Sequence, residues 1–202
     1  EREKNGKFKS IGDFINRVDP KNINKLQLEG LVKAGAFDSM YANRKELFNN
    51  IPNIIQNSKN ISENKIQNQT SLFNEERDAV SYLLKDTNIK DWSYEETLSK
   101  EFESVGFYIS NHPLKSYEEV LKHYKVKPFS VFENDKAGES AIAGTVMSIK
   151  EKKTSKGNSF AIVKFSDLSK AYELFLFSEI LEKNRTNLIP GKSFLMTVIK
   201  DK

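Results

Sequence analysis

The sequence predicts an α+β fold with an N-terminal helical segment, a helical linker segment and a C-terminal β-rich barrel. Two observations predict it. Apolar residues recur at helical spacing between Ile11 and Ile55, and after Pro128 they alternate with polar residues as they do in strands. A polar run from Gln56 to Gln69 interrupts the helical pattern. The predicted segments are a helical domain over 1–56, a flexible connector over 57–80, a helical linker over 81–128 and a barrel domain over 129–202.

The composition excludes several kinds of chemistry. The 202 residues contain no cysteine and only two histidines, which rules out a disulfide framework and thiolate catalysis and leaves little material for a metal site. We therefore expect no cofactor in this chain. The formal charge is +4, with 32 basic against 28 acidic residues, so local clusters must carry any binding of nucleic acid. The lack of cysteine and of any apolar run long enough to span a bilayer predicts a cytoplasmic location without a membrane partner.

Three helices are predicted in the N-terminal segment. The stretch Ser10–Asp13 is typical of a capping box, and Asp19–Pro20 combines a good N-cap with a residue suited to the first helical position. The second helix runs to about Lys33. A third helix begins near Asn43, with a kink expected at Pro52.

The second helix ends in a short turn that contains a glycine. Two helices joined in this way are compatible with a helix-hairpin-helix, whose turn amides and nearby cations hold the phosphates of duplex DNA. The alternative, which the turn alone favours, is an ordinary helical hairpin with a glycine C-cap. The candidate phosphate-binding residues are Lys25, Lys33, Gly35, Ala36 and Arg44.

A glutamine and two large apolar residues close the polar run. Gln69 is followed by two positions that the pattern leaves free, and then by Leu72 and Phe73. This spacing resembles the peptide by which bacterial replication and repair proteins bind the sliding DNA clamp. Such a peptide offers an amide for hydrogen bonds and two anchors for an apolar cleft. The alternative is that Leu72 and Phe73 pack on a neighbouring helix.

The middle segment contains aromatic residues and both histidines. Trp92 and Tyr94 are expected to anchor the linker on the helical unit. His112 precedes Pro113, an arrangement that suits the start of a helix. No nucleophile or acid pattern accompanies His112 or His123, so we expect both to be structural.

Past Pro128 the pattern predicts three strands, a helix and a fourth strand. This order matches the five-stranded oligonucleotide-binding barrel (OB-fold) without its last strand. The predicted ranges are Ala141–Ile149, Ser159–Phe165 and Tyr172–Phe177 for the first three strands, Ser178–Asn187 for the helix and Ser193–Ile199 for the fourth strand.

Alternation along the second and third strands places aromatic residues on the outside of the barrel, together with Lys164 and Glu173. Exposed aromatics at these positions stack bases, and lysines between the first two strands bind phosphates. The alternative is that the aromatics pack on other helices and the lysines belong to a solvated loop, since Glu173 opposes a polyanion. The candidate residues for single-stranded DNA are Lys150, Lys152, Lys153, Lys156, Phe160, Lys164 and Phe175.

Three separated segments resemble the alpha subunit of bacterial DNA polymerase III. They are Leu28–Asp38 with its flanking Arg17–Asp19 and Asn43–Arg44, then Val105–Leu114, and finally Phe165–Ser169 with Glu173–Phe177. The resemblance implies the end of a helix-hairpin-helix domain, a clamp-binding peptide and most of an OB-fold domain, in that order. The start at Glu1 without a methionine, and the end at Lys202 directly after an apolar strand, are expected for a piece of a longer protein.

The resemblance also implies partners and an activity. The partners are duplex and single-stranded DNA, the sliding clamp (the beta subunit) and other replisome subunits. The parent extends DNA from deoxynucleoside triphosphates with carboxylate-held magnesium, a chemistry that needs converging acidic residues. In the family these residues lie in an earlier domain, so this chain is expected to be non-catalytic. A tRNA- or RNA-binding barrel module and a protein-interaction scaffold within a replisome remain the alternatives.

Overall fold

The computed structural model describes residues 1–66, 89–155 and 157–200, which form two compact units, 1–105 and 106–202. Among the described helices, none combines the length and the apolar character needed to cross a membrane. The helices of the first unit are α1 (Arg2–Asn5), α2 (Ile11–Arg17), α3 (Lys25–Lys33), α4 (Arg44–Asn49), α5 (Ile51–Ile66) and α6 (Tyr94–Val105). The second unit contains α7 (Glu118–His123), α8 (Phe129–Asn134), β1 (Glu139–Lys153), β2 (Ser159–Ser166), β3 (Ala171–Leu176), α9 (Ser178–Asn184) and β4 (Ser193–Ile199).

Helix α2 begins at its predicted cap, but the helix predicted from Asp19 to about Lys33 is divided into a 3-10 helix, Pro20–Asn22, and α3, which Asn24 caps. The Ser10 hydroxyl accepts a hydrogen bond from the amide of Asp13 at 3.0 Å, and the Asp19 side chain caps a short 3-10 helix. The prediction of a kinked helix at Pro52 was wrong. Helix α4 ends at Asn49 and α5 begins at Ile51, which places Pro52 in a first turn where no intrahelical amide donor is needed.

The apolar faces of α2, α3, α4 and α5 meet in one core. Phe14 makes an edge contact with Phe37, with ring centroids 5.1 Å apart. Such cores stabilise a fold mainly through the apolar area that they remove from water. The buried members are Ile11, Phe14, Ile15, Leu28, Val32, Phe37, Leu47, Ile51 and Ile54.

The residues from 89 onward contact the helices of the first unit. The Asn43 side chain donates to the carbonyl of Ile89 at 2.6 Å, and the Lys45 amide donates to Asp91 at 2.9 Å. Trp92 packs against Phe48 of α4 with ring centroids 5.6 Å apart. Helix α6 follows and lies against α3.

Two of the predicted segment boundaries differ from those in the structure. Because α5 continues to Ile66, residues 57–66 are helical, and the prediction of a flexible connector from residue 57 was wrong for them. The predicted linker 81–128 is divided, since α6 belongs to the first unit and the residues from Gly106 onward belong to the second.

The second unit is a curled, antiparallel, four-stranded half-barrel with the strand order β3-β2-β1-β4. A β-bulge between Val146 and Ser148 interrupts the pairing of β1 with β2. Bulges increase the local twist and bend of a strand, which suits a long strand that pairs with two neighbours. The buried members of its core are Phe132, Ile142, Val146, Ala161, Val163, Phe165, Tyr172, Leu181 and Leu188.

Tyr172 lies at the centre of this core. Its ring stacks on Phe129 with centroids 3.9 Å apart, and its hydroxyl donates to the carbonyl of Ala143 at 3.0 Å. Burial raises the pKa of Tyr172, which keeps the hydroxyl in the donating form. Gly144 passes so close that an added Cβ would lie 2.3 Å from this hydroxyl oxygen.

His112 is the N-cap of a short helix, as its position before Pro113 predicts. Its Nδ1 accepts from the amide of Leu114 at 3.1 Å and caps the 3-10 helix Pro113–Tyr117. Since Nδ1 is the acceptor, the proton of the neutral ring lies on Nε2, which donates to the hydroxyl of Ser166 at 2.9 Å. Burial lowers the pKa of His112 and so favours this neutral form.

Candidate nucleic-acid interface

One face of the half-barrel carries most of the residues predicted to bind single-stranded DNA. Directly paired residues of antiparallel strands point to the same side of a sheet, so the strand register defines rows of side chains. We call this surface the outer face. From one end to the other, its rows are Lys152–Phe160, Lys150–Ile162–Phe175 and Ser148–Lys164–Glu173.

The aromatic residues form a stacking platform on the outer face. The rings of Phe160 and Phe175 lie 6.5 Å apart, with an angle of 22° between their planes. Phe175 is 60% exposed, and Phe177, just beyond β3, is 66% exposed. Phe160 is half-buried beside them, and the exposed rings suit stacking against nucleobases.

The lysines flank the platform, although not as the sequence predicted. Strand β1 continues to Lys153, so Lys150, Lys152 and Lys153 are strand residues and the prediction of a lysine-bearing loop was wrong for them. Lys150 and Lys152 are exposed on the outer face, and so is Lys164 on β2. Lys153 pairs with Ser159 and points to the opposite side, because side chains alternate along a strand.

The turn after α3 is a helix C-cap with a Schellman hydrogen-bond pattern. The amide of Gly35 donates to the carbonyl of Val32 at 3.0 Å, and the amide of Ala36 donates to the carbonyl of Leu31 at 2.9 Å. Gly35 has φ 74°, the left-handed conformation that glycine tolerates best. The two amides predicted to hold phosphates are therefore already bonded within the turn.

Two of the three predicted phosphate-binding cations are held by carboxylates of the same unit. Lys33 Nζ lies 2.8 Å from Glu103 Oε1, and this hydrogen bond lowers the pKa of Glu103. Arg44 is bound by carboxylates on two sides, as described below. Lys25 differs, because its side chain is 66% exposed and its carboxylate neighbour Glu29 lies 3.7 Å away.

Arg44 joins the turn to α6. Its Nε and Nη2 donate to the two carboxylate oxygens of Asp38 at 2.8 and 2.7 Å, and its Nη1 donates to Glu101 at 2.9 Å. Nη1 also contacts the carbonyl of Lys33 at 3.2 Å. Glu101 is 0% exposed, and hydrogen bonding to Asp38 raises the pKa of Arg44. The guanidinium of Arg44 therefore binds three groups at once: a carbonyl of the turn, the carboxylate of Asp38 and the buried carboxylate of Glu101 on α6.

The sequence interpretation missed Glu101, although a signal for it was present. Leu98, Glu101 and Phe102 recur at helical spacing, so a carboxylate occupies the apolar face of an amphipathic helix. A charge at such a position is rarely buried without a partner, and this predicts a cation elsewhere in the fold.

The remaining candidates lie outside the described residues. These are Lys156 and the predicted clamp-binding residues Gln69, Leu72 and Phe73. Within the described ranges, no three His, Asp or Glu side chains lie close enough together to hold a metal ion.

These features define a class of protein. The chain is an α+β protein with a helical unit and an OB-like half-barrel, and the helix-hairpin-helix motif family matches residues 1–47. Along its whole length the chain is also related to one region of DNA polymerase III subunit alpha, which confirms the resemblance inferred from the sequence.

Three relatives illustrate the match. The subunit of Borreliella burgdorferi is 36% identical over 197 residues, or 95% of this chain. That of Rickettsia bellii is 36% identical over 209 residues and 100% of the chain, and that of Caulobacter vibrioides is 31% identical over 200 residues and 98% of the chain. The chain spans 17% of the length of each of these relatives. It therefore corresponds to one region of a DNA polymerase III alpha subunit.

Proposed function

We propose that this chain is a non-catalytic DNA- and clamp-binding region of a bacterial replicative polymerase whose whole protein performs DNA-templated DNA synthesis. The outer face binds single-stranded DNA. Gln69, Leu72 and Phe73 bind the sliding clamp. The observation that carries the proposal is the outer face itself, where exposed phenylalanines lie beside three lysines on one sheet surface.

The chemistry of the outer face suits a single strand better than a duplex. Stacking on Phe160 and Phe175 requires unpaired bases, while Lys150, Lys152 and Lys164 provide cations for the backbone phosphates. Because the lysines bind phosphates, we expect the affinity to depend strongly on salt.

Replacing Phe175 by alanine is expected to weaken binding of a fluorescein-labelled single strand of mixed sequence by about tenfold, because one base stack contributes about 1 to 3 kcal/mol. Lys150→Ala is expected to reduce the slope of log affinity against log salt by about 0.7, the value for one phosphate contact on a single strand. Fluorescence anisotropy over a salt series measures both quantities.

Ile199→Ala is the matched control for Phe175→Ala. Ile199 is 76% exposed and pairs with Glu139, at the end of β1 remote from Lys150. It should leave the affinity unchanged. If the Phe175→Ala variant binds the single strand as tightly as the wild type does, the proposed stacking of bases on Phe175 is wrong. Tighter binding of tRNA than of single-stranded DNA would favour an RNA-binding module, and absence of any nucleic-acid binding would favour a protein-interaction scaffold.

The double substitution Leu72→Ala with Phe73→Ala is expected to reduce the affinity of the chain for a purified bacterial sliding clamp by at least about tenfold, because two large anchors carry most of the energy of such a peptide. Isothermal titration calorimetry measures the effect. Thr70→Ala with Ser71→Ala is the control, since these two positions are free in the proposed motif. Equal clamp affinity of the wild type and the Leu72/Phe73 variant would contradict the assignment.

We also propose a contact between the helical unit and duplex DNA, supported by the helix-hairpin-helix match over residues 1–47. Asp38 and Glu103 oppose a phosphate near Arg44 and Lys33. The exposed Lys25 is therefore the principal cation for this contact.

A further inference from the structure

The carboxylate of Glu173 occupies the centre of β3 on the outer face. It is exposed, it pairs across the sheet with Lys164, and it lies two positions from Phe175 on the same strand. Within the described residues its carboxylate forms no hydrogen bond or ion pair, so the fold does not require it there. A carboxylate repels the phosphates of a strand that the neighbouring lysines attract.

Glu173 is within reach of a base stacked on Phe175. Two residues of a strand span about 7 Å, and paired residues on neighbouring strands have Cβ atoms about 5 Å apart. A base over Phe175 that extends along β3 therefore presents its edge to Glu173 and Lys164. Glu173 supplies an acceptor at this edge, while Lys164 beside it provides a cation for the backbone.

The acceptor distinguishes between bases. An ionised carboxylate only accepts hydrogen bonds, and it accepts well from the exocyclic amino group of cytosine. Thymine has a carbonyl oxygen at the corresponding position, and that oxygen is repelled by a carboxylate. Cytosine and thymine have rings of the same size, so their stacking on Phe175 is similar and the difference arises at the edge.

From this arrangement we propose that Glu173 is a specificity-determining residue, which makes the outer face prefer bases with an exocyclic amino group over thymine. The inference rests on the proposed binding of single-stranded DNA. It assigns a role to the charge that otherwise weakens that binding.

The test compares oligodeoxycytidylate with oligothymidylate of equal length, in the wild type and in Glu173→Gln. The wild type is expected to bind the cytidylate about fivefold more tightly, in line with one hydrogen bond to a base edge. In the variant the neutral amide both donates and accepts, so the ratio should fall toward one, mainly because thymidylate binds more tightly. Fluorescence anisotropy at constant salt gives the four affinities, and thermal melting verifies that the variant is folded.

The outcomes separate the inference from the proposed function. Equal binding of the two strands by the wild type, or a ratio that persists in Glu173→Gln, overturns the specificity role while leaving DNA binding in place. A variant that binds both strands more tightly by the same factor shows simple charge repulsion and also overturns it. Failure of the wild type to bind either strand overturns the proposed function together with the inference.

Discussion

Replacing Arg44 by methionine is expected to lower the free energy of unfolding of the helical unit by about 3 to 5 kcal/mol, the usual cost of removing one partner of a buried ion pair. Glu101 is fully buried, and Arg44 Nη1 lies 2.9 Å from its carboxylate. Without the guanidinium, this buried carboxylate loses the cation that faces it. The same change removes the bidentate contact to Asp38.

Urea denaturation followed by tryptophan fluorescence measures this effect, since Trp92 is the only tryptophan and packs on Phe48 of the same unit. Lys100→Ala is the control, because it removes a surface ion pair with Glu103 and should change stability by less than about 1 kcal/mol. Adding Glu101→Leu to the Arg44→Met variant should restore part of the loss, because no uncompensated charge is then buried. An Arg44→Met variant as stable as the wild type would show that the ion pair does not hold α6 in place.

The second large effect is expected at Gly144. A Gly144→Ala substitution should destabilise the half-barrel by about 3 kcal/mol, the upper part of the usual range for overpacking a core. The added Cβ would lie 2.3 Å from the Tyr172 hydroxyl, and Tyr172 cannot move aside because it stacks on Phe129. Any displacement also breaks the hydrogen bond to the carbonyl of Ala143.

Circular dichroism melting measures the loss, and the urea transition reported by Trp92 should stay unchanged because it belongs to the other unit. Gly138→Ala is the control, since nothing lies within 4 Å of a Cβ at that position. Tyr172→Phe combined with Gly144→Ala should be less destabilised than the sum of the single changes, because the next nearest atom, Phe165 Cβ, is 3.1 Å away. Strict additivity of the two changes would contradict the proposed clash.

Features that depend on local periodicity were predictable. The alternation of β2 and β3 placed Val163 and Phe165 inside and Phe175 outside, as the structure has them. Successive side chains of a strand point to opposite faces of the sheet, so a strand has only two possible orientations. The orientation that buries its apolar residues is the one that forms.

Features that depend on distant contacts or on breaks in the pattern were not predictable. The end of β1 carries Lys150, Glu151, Lys152 and Lys153, which have low strand propensity, and the bulge after Val146 shifts the alternation before them. Only pairing with β2 shows that they are strand residues. Likewise, Glu101 and Arg44 are 57 positions apart, so no local pattern connects them.

The positions of Ile66 and Ile89 have a mechanical consequence. Both belong to the helical unit, the first at the end of α5 and the second bonded to Asn43. A pulling load applied at Gln69, Leu72 and Phe73 therefore reaches the helical unit from both directions along the chain. A single proteolytic cut within 67–88 would sever only one of the two routes, and α6 would stay attached to α4 through the ion pair of Glu101 with Arg44.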